Sequence, residues 1–218
     1  RWEVLPARLQ TVRNVCAAAV VVGALYVLGG SGNDHQVLSS VERYDVERSR
    51  WELVAPMRQA RWGPAVAVLD GRLYVLGGAS GLRESDNLKT VERYDAERNV
   101  WEAVANMSTE RFGCAAAVLE GKLFVMGGRD AQGKDVSSVE YYESASNEWK
   151  QVAPMNQPRV QHAALVWKDR LYVMGGSGAT SSVEWYDLER NEWIEEVKEA
   201  GGLRTGRNWL TGAVVHHS

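Results

Sequence analysis

The chain has 218 residues, of which 45% are hydrophobic, and its 25 basic and 28 acidic side chains leave a net charge of −3. This balance excludes a chain-wide attraction to nucleic acid or anionic membranes, and apolar runs such as Ala17 to Val22 are far shorter than the roughly 20 residues that span a bilayer. The two cysteines, Cys16 and Cys114, are too few for a disulfide-dense secreted scaffold, so we expect a soluble, cytoplasmic protein with reduced thiols.

Residues 1–5 (RWEVL) match the last strand of a unit that then recurs four times along the chain. Each unit begins with an arginine 16 residues before a glycine pair, and a tyrosine and a tryptophan seven residues apart follow the pair. The opening arginines are Arg13, Arg61, Arg111 and Arg159, the first glycines are Gly29, Gly77, Gly127 and Gly175, and the ring pairs are Tyr44 with Trp51, Tyr94 with Trp101, Tyr142 with Trp149 and Tyr186 with Trp193. Successive glycine pairs lie 48, 50 and 48 residues apart, which establishes an internal repeat.

Turn signals divide each unit into four short predicted strands. In the second unit the strands are predicted at Ala65–Leu69, Arg72–Leu76, Val91–Tyr94 and Trp101–Val104, separated by Asp-Gly, Gly-Gly and a polar AERN stretch. The units span residues 13–57, 61–107, 111–155 and 159–197, and residues 207–215 (RNWLTGAVV) match a first strand. The sequence therefore predicts an all-β chain with four complete four-stranded units and a partial unit at each end.

This arrangement resembles the kelch repeat, in which four strands, a double glycine and a later tyrosine and tryptophan form one blade of a β-propeller. The stretches VERYDVERSRWELVAPM (41–57) and VERYDAERNVWEAVANM (91–107) are similar to the kelch-like subfamily, whose propellers usually follow a BTB domain. The resemblance implies a ring of about six blades, or seven. We therefore interpret residues 1–218 as a single incomplete propeller domain, unless its ends meet in a reduced fifth blade.

The repeated residues have structural explanations. A glycine pair permits backbone angles or close approaches that a Cβ would forbid, and the tyrosine and tryptophan suit the wedge between neighbouring blades. Every third strand also carries a glutamate, whose burial would be costly unless the carboxylate is paired. We predict that these glutamates bond the opening arginines; they are Glu42, Glu92, Glu140 and Glu184.

The connection from the glycine pair to the third strand varies in length, whereas the other spacings are fixed. Loops on a rigid scaffold are where binding residues concentrate. The kelch-like resemblance implies a partner pocket built from the residues after the opening arginine, the residue after the glycine pair, and this loop. The candidates are Asn14, Trp62, Phe112, Gln161, Asn208 and Trp209, then Ser31, Arg129 and Ser177, then His35 and Arg83.

Exposed aromatic side chains together with Arg83 and Arg129 would suit a peptide that carries an acidic and an apolar residue. Ala79, Val160 and Trp62 stand where pockets of the family often offer arginine or serine, so the resemblance does not imply the same ligand. The alternative is that about half of these positions only cap strands or pack blade ends.

Catalytic and cofactor chemistry finds little support in the sequence. Residues 128–135 (GRDAQGKD) follow a phosphate-loop pattern, but Asp135 stands where serine or threonine is needed, and a strand follows instead of a helix. Both cysteines are predicted to be small residues lining the channel, and no nucleophile elbow is present. A Ser-His-Asp triad stays open, because triads form in space. We predict no enzyme, no cofactor and no metal; no metal-ligand spacing joins His35, His162, His216 and His217.

The leading hypothesis is a protein–protein interaction module, namely the substrate-recognition kelch domain of a BTB-kelch adaptor. By resemblance, such an adaptor would bind a protein or peptide at the propeller mouth and deliver it to a cullin-RING ubiquitin ligase through domains outside this chain. An actin-binding or scaffold kelch protein without a ubiquitin role is the alternative, and a kelch-type propeller enzyme is a second one. A BTB and a BACK region before Arg1 would favour the adaptor. Neither nucleic acid nor a membrane is an expected partner.

Overall fold

The computed structural model describes residues 7–177 and 181–196. Within these ranges, sixteen β-strands form four antiparallel sheets of four strands, and the one helical element is a single 3-10 turn, Glu84–Asp86. No helix in this part of the chain has the length and apolar character needed to cross a membrane.

The four sheets are named blades 1 to 4 in chain order, and the strands of each blade pair in sequence order. Blade 1 contains β1 (Ala17–Val21), β2 (Ala24–Leu28), β3 (Val41–Asp45) and β4 (Arg50–Val54). Blade 2 contains β5 (Ala65–Leu69), β6 (Arg72–Leu76), β7 (Val91–Asp95) and β8 (Val100–Ala103). Blade 3 contains β9 (Ala115–Leu119), β10 (Lys122–Met126), β11 (Val139–Glu143) and β12 (Glu148–Val152). Blade 4 contains β13 (Ala163–Trp167), β14 (Arg170–Met174), β15 (Val183–Asp187) and β16 (Glu192–Glu195).

The first strands of the blades are innermost. β1 packs against β5, β5 against β9, and β9 against β13, so these strands surround a common axis and the fourth strands lie at the periphery. The predicted all-β fold with four four-stranded blades is confirmed, and the predicted strands of blade 2 agree with the observed strands to within one residue. The strands predicted at residues 1–5 and 207–215 lie outside the described residues.

A buried ion pair fastens the start of each blade to its third strand, as predicted. In blade 2, Glu92 accepts hydrogen bonds from Arg61 and from the backbone N–H groups of Arg58 and Gln59, and Arg61 also donates to the Thr90 carbonyl. Each carboxylate is therefore paired, which offsets the cost of burying its charge. The nitrogen–oxygen distances are 2.7, 3.0, 3.1 and 2.7 Å for Arg13–Glu42, Arg61–Glu92, Arg111–Glu140 and Arg159–Glu184.

The glycine pair of one blade lies against the opening arginine of the next. Gly30 donates its backbone N–H to the Arg61 carbonyl at 2.8 Å. Gly29 has a φ of +64°, and a Cβ added there would lie 2.5 Å from the same carbonyl oxygen. The glycines are therefore required by the close approach between blades.

The tyrosine and tryptophan fill the space between blades. Tyr94 and Trp101 of blade 2 have ring centroids 4.9 Å apart, and the Trp101 indole donates to the Ala55 carbonyl of blade 1 at 2.9 Å. Asn99 joins the same contact, because its side-chain oxygen accepts hydrogen bonds from the Tyr94 hydroxyl and the Ala55 N–H. Asn147 and Asn191 make the equivalent bonds in blades 3 and 4, so each of these asparagines links two blades.

Candidate interaction site at the propeller mouth

Short chain segments continue each sheet beyond its regular strands at one end of the propeller. The residue after the opening arginine forms a β-bridge with the residue after the glycine pair, which in blades 1 to 3 also bridges a residue of the variable loop. We call these residues and the loops 31–38, 79–88 and 129–136 the mouth rim. The bridges join Asn14–Ser31–Val37, Trp62–Ala79–Asn87, Phe112–Arg129–Asp135 and Val160–Ser177.

A belt of backbone hydrogen bonds connects the mouth rim from blade to blade. Gly63 donates to the Val15 carbonyl, Gly113 to the Gly63 carbonyl, and Gln161 to the Gly113 carbonyl, at 3.0, 3.3 and 2.7 Å. All four residues have a φ between 50° and 63°. This region favours glycine, so Val15 and Gln161 are strained and are held there by the belt.

The aromatic residues of blades 2 and 3 stack on each other at the rim. The ring centroids of Trp62 and Phe112 are 4.8 Å apart, with an angle of 38° between the ring planes. Phe112 is only 8% exposed because its ring lies over Gly63, where a Cβ would be 2.6 Å from it. The expectation of exposed aromatics is therefore wrong for Phe112, whereas the half-buried Trp62 keeps part of its surface open to solvent.

The two candidate arginines have different surroundings. Arg83 is exposed, just before the 3-10 turn of the blade 2 loop. The Arg129 Nε donates to the Asp135 carboxylate at 2.7 Å, across the bridge that joins these residues. This hydrogen bond raises the pKa of Arg129, and the negative charges of Asp135 and of Glu84 in the neighbouring loop add to the effect.

The remaining candidates lie at the same end of the molecule, apart from Asn208 and Trp209, which are outside the described residues. Asn14 is exposed and accepts a 2.7 Å hydrogen bond from the hydroxyl of buried Ser31. His35 is exposed with a φ of 60°, and Ser177 and Gln161 are half-buried. The structure therefore brings the described candidates to one rim, and partner binding at these residues stays a prediction.

Asn87 is a rim residue that the sequence did not single out. Its buried side-chain amide donates to the carbonyls of Arg129 at 3.1 Å and Asp130 at 2.9 Å, so it joins the loops of blades 2 and 3. An asparagine in a variable loop gives no signal of this role, because its partners belong to another repeat.

The two cysteines and the phosphate-loop stretch lie in different environments. Cys16 is exposed, but Cys114 is buried in the apolar cluster between blades 2 and 3, so the prediction that both line the channel is wrong for Cys114. Within 128–135, the Asp130 carboxylate accepts the backbone N–H groups of Gln132 and Lys134 and closes the loop on itself. Residues 7–177 and 181–196 contain no group of three or more metal-ligating side chains.

The family comparisons agree with this architecture. A family model described as the KLHDC2/KLHL20/DRC7 Kelch-repeats domain matches residues 1–176, and a Kelch motif model matches residues 158–196. Over 79 residues the chain is 43% identical to an F-box/kelch-repeat protein of Arabidopsis thaliana, and this aligned stretch covers 36% of the chain and 21% of that protein. Over 54 residues it is 48% identical to Kelch-like protein 38 of Rattus norvegicus, and this aligned stretch covers 25% of the chain and 9% of that protein.

Among solved structures, that of YjhT superimposes with a TM-score of 0.78 at 18% sequence identity and covers 91% of this chain and 73% of that one. At this identity the likeness concerns the fold alone. The matches to the two curated relatives span at most 21% of those proteins' own length. The family model, by contrast, matches most of the chain, and the four blades carry the repeat throughout. The chain therefore belongs to the kelch-repeat family of β-propellers.

Proposed function

We propose that this chain is a protein-interaction module that binds a segment of a partner protein at the mouth rim. One observation carries the proposal: the bridged pair at the rim differs in every described blade, whereas the arginine, glycines, tyrosine and tryptophan behind it repeat. Loops that vary at one end of a repeated scaffold are typical of a binding surface. The four pairs are Asn14–Ser31, Trp62–Ala79, Phe112–Arg129 and Val160–Ser177.

In the full-length protein, we propose that this module recognises the substrate of a cullin-RING ubiquitin ligase. The resemblance of residues 41–57 and 91–107 to the kelch-like subfamily supports this role, as does the similarity to Kelch-like protein 38. The relative from Arabidopsis thaliana combines kelch repeats with an F-box, so kelch repeats occur beside more than one kind of accessory domain. We assign no catalytic step to this chain, because in the adaptor role the transfer of ubiquitin belongs to other subunits.

Quantitative co-precipitation with the full-length protein tests both levels of the proposal. We would compare the wild type with the double variant Trp62→Ala, Leu82→Ala, which removes two accessible apolar rim side chains without touching the bridges between segments. The matched control is Arg98→Ala, an exposed arginine in the β7–β8 turn at the opposite end of the blade. Thermal melting would confirm that all three proteins are folded.

The expected result is a set of partner proteins that is depleted with the double variant and retained with the control. Partners retained equally by all three proteins would contradict binding at the mouth rim. A cullin that co-precipitates with all three proteins would support the adaptor role, since the cullin is expected to contact other domains. Partners that depend on the rim without any cullin would contradict the adaptor role and favour the scaffold or actin-binding alternative.

A further inference from the structure

The charge of Arg129 is already neutralised within the mouth rim. Its Nε lies 2.7 Å from the Asp135 carboxylate, and the two side chains are 38% and 28% exposed, so the pair faces the rim surface. The Glu84 carboxylate of blade 2 lies against Gly133 of the blade 3 loop and adds a second negative charge near Arg129. An acidic partner residue would therefore have to compete with Asp135 for the charge of Arg129.

Carboxylates outnumber cations in the loops of blades 2 and 3. Residues 79–88 and 129–136 carry four carboxylates, Glu84, Asp86, Asp130 and Asp135, and three cations, Arg83, Arg129 and Lys134. Once Arg129 and Asp135 are paired, three carboxylates and two cations remain in two loops that the hydrogen bonds of Asn87 hold together. The local charge favours a basic partner side chain over an acidic one.

The same loops are fixed in place before any partner arrives. The buried Asn87 amide bonds two carbonyls of the blade 3 loop, and Arg129 is bridged on both sides, to Phe112 and to Asp135. Trp62, half-buried and stacked on Phe112, offers an apolar surface beside them. Preorganised aromatic surface of this kind is what binding hot spots use, because little conformational entropy is lost on docking.

We propose that the mouth rim at blades 2 and 3 selects a partner segment with a basic side chain next to an aromatic or aliphatic one, and that Asp135 sets this preference by occupying Arg129. The inference rests on the proposed function, because it names the partner chemistry for the same rim. It differs from the peptide with an acidic and an apolar residue that the sequence predicts, because the sequence does not show that Asp135 pairs with Arg129. Asp135 is a specificity-determining residue in this proposal, since it acts through Arg129.

Selection of short random peptides displayed on phage tests the proposal without a known partner. The purified wild-type chain, Asp135→Asn, Trp62→Ala and the control Arg98→Ala would each be immobilised, and the enriched peptides would be synthesised and titrated by fluorescence anisotropy. Asp135→Asn is nearly isosteric and keeps the β-bridge, but it frees the charge of Arg129. Circular dichroism melting would establish that the four chains are equally folded.

We expect the wild type and Arg98→Ala to enrich peptides with a basic residue beside an apolar one. These peptides should bind Asp135→Asn about tenfold more weakly, and Asp135→Asn should enrich acidic peptides instead. Enrichment of acidic peptides by the wild type, or the same peptide preference in Asp135→Asn, would overturn this inference. If Trp62→Ala still lost peptide binding in that case, the proposed function would stand without it. Peptides that bind all four chains equally, or no enrichment at all, would contradict both.

Discussion

The opening arginine of each blade shows how a charged residue becomes part of a propeller core. Arg61 is fully buried, and burial lowers its pKa, an effect that the charge of Glu92 and the hydrogen bond to it oppose. The guanidinium also connects two neighbouring strands, because it donates hydrogen bonds to the carbonyl of Gly77 just after β6 and to that of Thr90 just before β7. A buried pair of this kind is destabilising to break, since the remaining charge has no partner.

We predict that Glu92→Ala lowers the free energy of unfolding by about 3–5 kcal/mol, because it leaves the buried charge of Arg61 without its counter-charge and two backbone N–H groups without an acceptor. Urea unfolding followed by tryptophan fluorescence would measure the change. The control is Glu97→Ala in the exposed β7–β8 turn, which should stay within about 0.5 kcal/mol of the wild type. Equal midpoints for the two variants would show that the ion pair does not hold the blade together.

His162 is a second buried polar residue, at the third position after Arg159. The corresponding residues in blades 1 to 3 are Cys16, Pro64 and Cys114, so only blade 4 has an imidazole there. The ring is 3% exposed, neither ring nitrogen has a partner, and burial together with the charges of Arg159 and Arg111 lowers the pKa to about 3. A buried neutral histidine makes stability depend on pH.

The pKa of His162 predicts a loss of stability in acid. Above its ordinary pKa of 6.5 the ring is neutral in both the folded and the unfolded state, so it has no effect on the pH dependence there. Below 6.5 the unfolded chain binds a proton that the folded chain refuses, and the free energy of unfolding falls by up to about 1.4 kcal/mol per pH unit until the folded pKa is reached. The stability is thus present above pH 6.5 and lost towards pH 3.

Comparison with His162→Cys, the residue that blades 1 and 3 have at this position, isolates the effect from other titrating groups. Between pH 6.5 and pH 5 the wild type should lose about 1.6 kcal/mol more than the variant in urea unfolding. A constant difference between the two proteins at every pH would mean that the histidine is solvated or hydrogen-bonded in solution.

At the scale of single elements, the β13–β14 hairpin departs from the other three inner hairpins. Its two turn residues, Lys168 and Asp169, have φ values of 48° and 57°. The second turn position is glycine in blades 1 to 3, at Gly23, Gly71 and Gly121. Aspartate tolerates this region better than most residues, but glycine adopts it without steric cost.

We predict that Asp169→Gly raises the free energy of unfolding by about 0.5 kcal/mol, because it relieves the left-handed backbone of the turn. The reciprocal change, Gly71→Asp in blade 2, should lower it by a similar amount, since a Cβ at Gly71 would meet no atom within 4 Å and only the backbone angle matters. Thermal melting of both variants measures the pair of changes. The same sign in both variants would exclude turn strain as the cause.

The strands could be predicted closely because their signals are local. In blade 2 the turns at Asp70-Gly71 and Gly77-Gly78 determine where the strands end, and the predicted bounds differ from the observed ones by no more than one residue. The rim contacts of Asn87 and Asp135 could not be predicted in this way. Asn87 bonds another repeat, and the effect of Asp135 depends on which loop residue faces Arg129, so neither follows from periodicity.

At the scale of the whole molecule, the blades are joined by the same contacts at each described interface. Three kinds of contact connect blade 1 to 2, 2 to 3, and 3 to 4. They are the belt at the mouth, the glycine–arginine contact, and the hydrogen bonds by which a tryptophan and an asparagine of one blade both bind an alanine of the preceding blade. The repeat predicted this stacking, because a single blade cannot bury both of its apolar faces. The interpretation of residues 1–218 as one incomplete propeller domain goes beyond the described blades and stays a prediction.

The asparagine link tests how strongly neighbouring blades depend on each other. Asn147 accepts hydrogen bonds from the Tyr142 hydroxyl of its own blade at 2.8 Å and from the Ala105 N–H of blade 2 at 2.9 Å. Its φ of 55° would strain most replacements, so Asn147→Gly removes the side chain without adding backbone strain. We predict a loss of about 1–2 kcal/mol in the free energy of unfolding, corresponding to the two hydrogen bonds.

The neighbouring change Ser146→Gly controls for the added flexibility of the turn, because Ser146 bonds only Glu143 within that turn. In a chain whose units contact only their neighbours, weakening one interface lowers cooperativity as well as stability. Urea unfolding of Asn147→Gly should therefore show a lower midpoint and a shallower slope than Ser146→Gly. Identical curves for the two variants would mean that the apolar packing of Tyr142 and Trp149 holds blades 2 and 3 together without the asparagine.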